Sequence, residues 1–187
     1  MVKRNACVFI SGKGSNLKKL FLNSIQYNYP INIKLVISST YKAYGLNIAK
    51  RMGVPVLIFN NNNFLSEKKL LVELKKKNIS LILLAGYMKI LTKSFLRSYG
   101  KNVLNIHPSL LPKHRGLNTY QKVLNNNDKK TGCTVHLVNE KLDEGKIILK
   151  KSFFTDSSDD LKSLKKKTQK LEYMAYSEAL FKFFNKN

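Results

Sequence analysis

Residues 6–17 read ACVFISGKGSNL, and this stretch decides the fold class. A short apolar run leads directly into a turn with two glycines, and from Asn16 onward the apolar residues recur at helical spacing. A buried strand that passes through a glycine turn into a helix is the first half of a crossover between parallel strands. The stretch therefore predicts a parallel sheet with helices between its strands.

The same alternation of short apolar runs and longer amphipathic stretches continues along the chain. The predicted strands are residues 6–10, 33–39, 54–59, 79–86 and 102–107. The predicted helices are Asn16–Gln26, Ala43–Met52, Phe64–Lys77, Lys93–Tyr99 and Thr119–Asn125. Two later runs, 133–138 and 146–154, lie a short loop apart and predict an antiparallel pair. We expect an α/β, Rossmann-like fold with a mostly parallel central sheet, helices on both faces and an antiparallel C-terminal strand pair.

The chain closes with a long amphipathic stretch. Residues 159–184 predict one long C-terminal helix, whose apolar residues at helical spacing are Leu161, Leu164, Leu171, Ala175, Ala179 and Phe183. No repeat or linker interrupts the 187 residues, and the asparagines at 60–63 are interpreted as a polar loop. We therefore expect a single domain over residues 1–187.

The overall composition is typical of a folded protein, with 43% hydrophobic and 10% aromatic residues. Cys7 and Cys133 lie far apart, each within or beside an apolar run, which favours buried free thiols over a disulfide. The apolar run near the N-terminus is too short for a signal sequence, and no segment has the length of a membrane span. We expect a cytoplasmic location and no membrane partner.

The formal net charge of +23 suggests either a basic nucleic-acid-binding module or a surface rich in solvated lysines. The lysines are spread along the whole chain rather than along one stripe with interleaved aromatic residues, and asparagine and isoleucine are abundant too. This distribution favours a general drift of composition, so we expect no nucleic-acid partner. The positive field would still attract anionic small molecules, such as phosphorylated or polycarboxylate substrates.

The first motif with chemical content is SGKGSNL at residues 11–17. Glycines let a backbone approach a ligand closely, and amide groups at a helix N-terminus can bind phosphate. Ser15 and Asn16 can cap the following helix and donate to phosphate oxygens. The glycine spacing matches neither a Walker loop nor a dinucleotide-binding fingerprint, in which a glycine would replace Leu17. A plain glycine turn with a good helix cap is the alternative interpretation.

The second motif is NIHPSLLPKHRG at residues 105–116. Asn105 and His107 lie two residues apart at the end of a predicted strand, so they point the same way at the edge where α/β sheets place active sites. An amide donor beside an imidazole can stabilise an oxyanion and transfer a proton. Pro108 and Pro112 stiffen the loop that follows. The alternative is a histidine that only caps or packs the strand end.

A candidate partner for this pair lies in VNEKLDEGKIIL at residues 138–149. A carboxylate of Asp143 near His107 would favour the imidazolium and fix its orientation, although the loop can also be an ordinary acidic turn. The three histidines, His107, His114 and His136, fall at irregular intervals, and no cysteine joins them at metal-ligand spacing. We therefore expect no metal site.

Five segments together carry a resemblance to a known family: SGKGSNL, AGYMKIL, NIHPSLLP, GLNTYQKVL and LDEGKIIL. In this order and at these separations they resemble the glycinamide ribonucleotide formyltransferases of purine biosynthesis, from about Cys7 to Leu180. The resemblance implies formyl transfer from 10-formyltetrahydrofolate to the amine of glycinamide ribonucleotide, without a metal. We expect small-molecule substrates and a monomer or weak homodimer.

The resemblance also implies roles for individual positions. The residues that match the catalytic trio are Asn105, His107 and Asp143. The residues that match the substrate contacts are Gly14, Ser15 and Asn16 for the phosphate, and Glu172 for the ribose. The residues that match the edge of the folate pocket are Met88, Lys89, Ile90 and Leu91, together with Asn105.

Three places depart from the family pattern. Glu67 and Lys68 stand where many members have an arginine that meets the glutamate tail of the folate, so that contact is in question. Tyr173 replaces a histidine that usually follows the glutamate at Glu172. Lys146 stands where proline is common, a change that a surface turn should tolerate.

Two related enzyme classes are the alternatives to this function. The PKHRG segment with Arg115 resembles methionyl-tRNA formyltransferase, but that class has a further RNA-binding domain and lacks the GKGSN loop in its first turn. Formyltetrahydrofolate deformylase shares the pattern of Asn, His and Asp, but a regulatory domain usually precedes its catalytic domain. A nucleic-acid-binding module would give no reason for Asn105 and His107 to share a strand end.

Overall fold

The computed structural model describes residues 2–59 and 64–185. The predicted polar loop at 60–63 lies outside these residues. The elements follow in this order: β1 (Arg4–Ile10), α1 (Ser15–Ser24), β2 (Ile31–Ser38), α2 (Gly45–Arg51), β3 (Val56–Ile58), α3 (Phe64–Lys76), β4 (Leu81–Leu84), α4 (Lys93–Tyr99), β5 (Asn102–His107), α5 (Thr119–Asn125), β6 (Lys130–Leu137), β7 (Ile147–Phe154) and α6 (Leu161–Phe184).

The strands form one mixed sheet in the order β3-β2-β1-β4-β5-β6-β7. The pairs β1–β2, β1–β4 and β2–β3 are parallel, whereas β6 and β7 are antiparallel. The α/β class, the mostly parallel sheet, the antiparallel C-terminal pair and the long C-terminal helix are therefore confirmed. All predicted strands and helices are present, and the differences lie at their ends.

The chain divides into two compact units, of which the first ends at Leu104 and the second begins at Asn105. In the first unit, β1 lies between β2 and β4, and its residues from Ala6 to Ile10 are all buried. A parallel strand in the middle of a sheet has no solvent face, which explains why the sequence shows a continuous apolar run there instead of alternation.

In the second unit, α6 packs against β6 and β7. Its buried face includes Leu164, Ala175 and Ala179, as the helical spacing predicts. The prediction fails for Leu161, which is 46% exposed, because it is the first residue of the helix. Asp160 caps this end with a reciprocal pair of hydrogen bonds to Ser163, so a capping box fixes where α6 begins.

Both cysteines are buried free thiols, as predicted, Cys7 in β1 and Cys133 in β6. Burial raises the pKa of Cys133 to about 12, so this thiol is protonated at neutral pH. Across residues 2–59 and 64–185, no helix combines the length and hydrophobicity that a membrane crossing requires.

The glycine turn after β1 begins α1 differently from the prediction. The N-cap is Gly14 in the left-handed region at φ 72°, and no side-chain hydrogen bond caps the helix, so the expected capping by Ser15 and Asn16 is wrong. Glycine is required here for two reasons. Its φ is unfavourable for other residues, and a Cβ atom on it would lie 2.6 Å from Cα of Gly45.

Replacing Gly14 with alanine should destabilise the protein by about 2 kcal/mol or more, because a left-handed backbone alone costs about 1–2 kcal/mol for a residue with a Cβ. The close backbone contact with Gly45 adds to that cost. Gly12→Ala is the matched control, since a Cβ there meets nothing within 4 Å. Chemical denaturation of both variants measures the difference, and equal stabilities would contradict the explanation.

Candidate active site

The candidate catalytic residues of the second unit begin at the end of β5. Ile106 and His107 are buried while Asn105 is partly exposed, and β5 ends at His107. Asn105 and His107 share one side of the strand because side chains alternate along it. They also share neighbours, since Asn105 contacts His136 and His107 contacts Asp143, whose carboxylate lies between the two imidazoles.

Asp143 occupies the loop between β6 and β7 with a left-handed backbone at φ 53°. Its Oδ2 lies 3.4 Å from Nδ1 of His107 and accepts a hydrogen bond of 2.8 Å from the backbone N–H of Gly116. Its Oδ1 lies 3.5 Å from Nε2 of His136. The structure thus brings together the three residues that the sequence could only propose as a group.

Burial in this site decides the ionisation of His107. Its side chain is 7% exposed, and desolvation lowers the pKa of the imidazole below its ordinary value. The carbonyl of His114 and the charge of Asp143 oppose this shift without cancelling it. Asp143 does favour the imidazolium, as expected, but desolvation outweighs its effect, so the pKa of His107 is lowered and the neutral imidazole is favoured.

The proton of the neutral His107 ring can be assigned from its neighbours. Nε2 lies 2.9 Å from the carbonyl oxygen of His114, which can only accept, so Nε2 donates. Nδ1 then carries the lone pair and faces the Asp143 carboxylate. A proton bound at Nδ1 would also be hydrogen-bonded to the charged oxygen Oδ2 of Asp143. Nδ1 is therefore the site of proton uptake.

The carboxylate of Asp143 stays ionised although it is buried. Burial would raise its pKa, but the contact with the His136 ring, the hydrogen bond from the Gly116 N–H and the neighbouring His107 ring together lower the pKa below its ordinary value. A carboxylate with a full charge in a poorly solvated place needs polar groups around it. The site therefore contains a fixed negative charge beside an imidazole that can accept a proton.

The loop that follows His107 is held by side chains as well as by its prolines. Ser109 Oγ donates to the carbonyl of Lys113 at 2.6 Å, and Thr134 of β6 donates to the carbonyl of Ser109 at 2.7 Å. The ring of His114 contacts the carboxylate of Asp128, and both side chains are largely buried. These bonds fix the His114 carbonyl and, through it, the ring of His107.

Two further contacts join this loop to the loop of Asp143. The N–H of Gly116 donates to Asp143, and the guanidinium of Arg115 pairs with the carboxylate of Glu144. Arg115, which suggested a tRNA-related enzyme, is thus engaged within the protein.

His136 is the residue that the sequence analysis missed. It lies in β6, is 2% exposed, and contacts both Asn105 and Asp143. The sequence does contain a signal for this residue, a single histidine inside the apolar run CTVHLV. A polar side chain in a buried strand needs hydrogen-bond partners, so its presence there indicates a polar contact.

Glu172 is 9% exposed within α6. Burial is the main cause that raises the pKa values of Tyr120 and Cys133, and the negative charge of Glu172 is the second cause. Helix α6 packs against α5 and β6, so Glu172 lies in the same unit as the catalytic candidates.

The predicted phosphate loop lies in the first unit. The N–H of Gly45 donates to the carbonyl of Gly12 at 3.0 Å, which holds the turn against the start of α2. The hydroxyl of Ser11 contacts that of Ser39 at 2.7 Å and accepts a hydrogen bond of 2.8 Å from the backbone N–H of Met88. Ser11, the first residue of the predicted phosphate loop, is therefore bonded to Met88, the first residue of the predicted folate edge.

Within that predicted edge, Met88 and Ile90 are 73% and 69% exposed, and Lys89 is exposed too. Exposed apolar side chains on a short segment are suited to cover a flat ring system. Leu91 differs, since it is 7% exposed and packs into the interior.

Glu67, which replaces the arginine of the family pattern, points inward. It is 5% exposed, and its carboxylate accepts a hydrogen bond of 2.6 Å from the hydroxyl of Thr92. Thr92 is the N-cap of α4 and accepts from the N–H of Phe95 at 3.0 Å. Glu67 therefore anchors Thr92, the residue that directly follows Leu91.

Among the described residues, no group of three His, Cys, Asp or Glu side chains could hold a metal ion. His107 and His136 both contact Asp143, whereas His114 contacts Asp128.

Comparison with known proteins gives a consistent result. The family model described as formyl transferase matches residues 4–180. The phosphoribosylglycinamide formyltransferase of Haemophilus influenzae is 38% identical over 177 residues, which cover 92% of this chain and 84% of that protein. The human trifunctional purine biosynthetic protein adenosine-3 is 34% identical over 182 residues, and the match covers 95% of this chain but 18% of that protein.

A solved structure agrees with these sequence matches. The crystal structure of phosphoribosylglycinamide formyltransferase from Brucella melitensis superposes with a TM-score of 0.91 at 36% identity, and the match covers 97% of this chain and 96% of that one.

The lowered pKa of His107 should appear in the pH dependence of stability. The unfolded chain takes up a proton at this residue near pH 6.5, whereas the folded protein does so only at lower pH, so acidification through this window favours unfolding. Wild type should lose more free energy of unfolding than His107→Gln between pH 7.5 and pH 5.5. Denaturant titrations at both pH values measure this, and an equal or smaller loss in wild type would contradict the assigned direction.

The Glu67 anchor should be visible in stability. Thr92→Val removes the donor to a buried carboxylate and the cap of α4 together, so we expect a loss of about 2 kcal/mol or more. Thr92→Ser keeps the hydroxyl and should stay within about 0.5 kcal/mol of wild type. Equilibrium unfolding of both variants tests the anchor, and an unchanged valine variant would exclude it.

Proposed function

The chain belongs to the formyl transferase family, and from this membership we propose that it transfers the formyl group of 10-formyltetrahydrofolate to the amine of glycinamide ribonucleotide. The products are formylglycinamide ribonucleotide and tetrahydrofolate, and the reaction is a step of de novo purine biosynthesis. Relatives named phosphoribosylglycinamide formyltransferase, which match nearly the whole chain, support this activity.

The observation that carries the proposal for the catalytic residues is the Asp143 carboxylate beside His107, next to the amide of Asn105. Formyl transfer to an amine places negative charge on the formyl oxygen while the attacking nitrogen becomes acidic. The reaction therefore requires a hydrogen-bond donor for the oxygen and an acceptor for the proton. Asn105 supplies a donor, and neutral His107 supplies an acceptor.

The side-chain amide of Asn105 has enough hydrogen-bond donors for this role. Its Nδ2 carries two N–H groups, so one can be donated to His136 and the second to a developing oxyanion. A donor of this kind typically contributes about 3 kcal/mol to the stability of the transition state.

His107 and Asp143 are proposed to act together on the proton. The neutral ring takes up the proton at Nδ1, and the carboxylate then balances the charge of the imidazolium. The charged ring would donate to two acceptors at once, Asp143 and the His114 carbonyl. When the bond between the formyl carbon and the folate nitrogen breaks, the proton passes from the ring to that nitrogen, and the ring returns to the neutral form that the buried site favours.

The remaining predicted residues are proposed to position the substrates. Gly14, Ser15 and Asn16 hold the phosphate of glycinamide ribonucleotide, and Glu172 contacts its ribose. Met88, Lys89, Ile90 and Leu91, together with Asn105, form the edge of the folate site. Holding both reactants in place would remove much of the entropic barrier.

The proposal includes small anionic substrates, no nucleic-acid partner, and a monomer or weak homodimer acting as a single domain over residues 1–187. A net charge of +23 supports attraction of a ribonucleotide phosphate and of folate carboxylates. Two buried free thiols support a reducing, cytoplasmic location.

The test is release of tetrahydrofolate from 10-formyltetrahydrofolate by the purified protein, with and without glycinamide ribonucleotide. We expect release only when the ribonucleotide is present. Release without it would indicate a deformylase, and transfer to methionyl-tRNA in its place would indicate the tRNA enzyme.

In the same assay, His107→Ala should lower kcat by about 10²- to 10⁴-fold, the usual contribution of a positioned acid or base. Its affinity for glycinamide ribonucleotide should change little, because the proposed phosphate contacts lie elsewhere. Tyr27→Ala, at a residue that is 88% exposed, controls for the effect of substitution itself. Near-normal turnover in the His107 variant would exclude the catalytic role.

A further inference from the structure

His136 is held in one orientation by the strand that carries it. Its Nδ1 lies 2.8 Å from the carbonyl oxygen of Leu137, which can only accept a hydrogen bond. Nδ1 therefore carries the proton, and in the neutral ring Nε2 carries the lone pair. The imidazole becomes a hydrogen-bond acceptor of fixed direction, buried in β6 at 2% exposure.

The local backbone is shaped to make this contact possible. The pairing of β6 with β7 shifts between Val135 and His136, the kind of irregularity that re-aims a side chain near a site. The loop before β7 also comes very close, since a Cβ on Gly145 would lie 1.7 Å from the carbonyl oxygen of Leu137. Glycine at this position leaves that carbonyl in place to accept from His136.

The acceptor atom of His136 faces the amide of Asn105. Nε2 lies 3.2 Å from Nδ2 of Asn105 and 3.5 Å from Oδ1 of Asp143. The shorter contact is the one in which a donor meets the lone pair. An amide held in this way has a defined nitrogen end, and its second N–H points in a defined direction.

We propose that His136 is a positioning residue for formyl transfer, which accepts one N–H of Asn105 at Nε2 and so orients the other N–H toward the formyl oxygen. The inference rests on the proposed function. His136 acts through Asn105, since its Nε2 faces that amide and its Nδ1 faces the carbonyl of Leu137. The trio of Asn105, His107 and Asp143 is thereby extended to four residues with distinct tasks.

The proposal predicts a specific kinetic pattern. His136→Leu keeps the approximate size and removes the acceptor, so kcat should fall by about 10²-fold, as expected for a misplaced catalytic group, while KM for both substrates changes less than about threefold. His136→Gln returns an amide oxygen near the position of Nε2 and should recover at least about tenfold of the loss in kcat. A purely structural role would not produce this recovery at unchanged KM.

A double-mutant cycle with Asn105→Ala separates orientation from independent action. If His136 works through Asn105, then His136→Leu should lower kcat by less than about threefold in the Asn105→Ala background. An undiminished loss in that background would overturn the proposal, as would a variant whose defect lies in KM alone. Thermal unfolding of each variant establishes that the comparison is made on folded protein.

A measurement on the wild-type protein guards against variants that fail to fold. The ¹⁵N chemical shifts of the His136 ring at neutral pH should show a protonated Nδ1 and an unprotonated Nε2. A proton on Nε2 would overturn the proposal, whatever the kinetics. Failure of the proposed function is distinguishable from either result, since wild type would then show no ribonucleotide-dependent release of tetrahydrofolate.

Discussion

The carboxylate of Asp143 is the group on which the arrangement of the site depends. One oxygen lies beside His107 and accepts from the backbone of Gly116, and the other lies beside His136. A strand end, a neighbouring strand and a loop are thereby tied to a single charge. The left-handed backbone of Asp143 and the close approach of Gly145 to β6 bring the carboxylate there.

Burial has opposite consequences for the two ionisable partners in this cluster. Desolvation lowers the pKa of His107 and would raise that of Asp143, yet the His136 ring, the Gly116 N–H and the His107 ring together keep the pKa of Asp143 below normal. The protein thus retains the charge on the carboxylate and withholds it from the imidazole, for which desolvation outweighs the contacts that favour the charged form. The carboxylate beside the neutral histidine offsets part of the cost of the charge that proton uptake would place on the ring.

The sequence predicted the strands well because buried parallel strands are continuous apolar runs, and it predicted Asn105 and His107 because alternation places them together. It could offer Asp143 only as a candidate, since no local pattern shows which loop meets a strand end in space. It missed His136, a lone polar residue whose partners are distant in sequence, and it missed the inward turn of Glu67 toward Thr92. The sequence also did not predict how α1 begins, because Gly14 starts this helix through its backbone geometry and not through a side-chain cap.

The excess of lysine makes the placement of the 11 acidic residues informative. Glu67, Asp128 and Asp143 are largely buried and each accepts hydrogen bonds, while Asp160 caps a helix. Each of these tasks requires a hydrogen-bond acceptor, which the ammonium group of lysine cannot supply. A drift toward lysine is therefore tolerated where side chains are solvated and is resisted where a carboxylate holds other groups in place. On this argument the positive surface and the acidic interior have separate origins, and only the second is required for the geometry around His107.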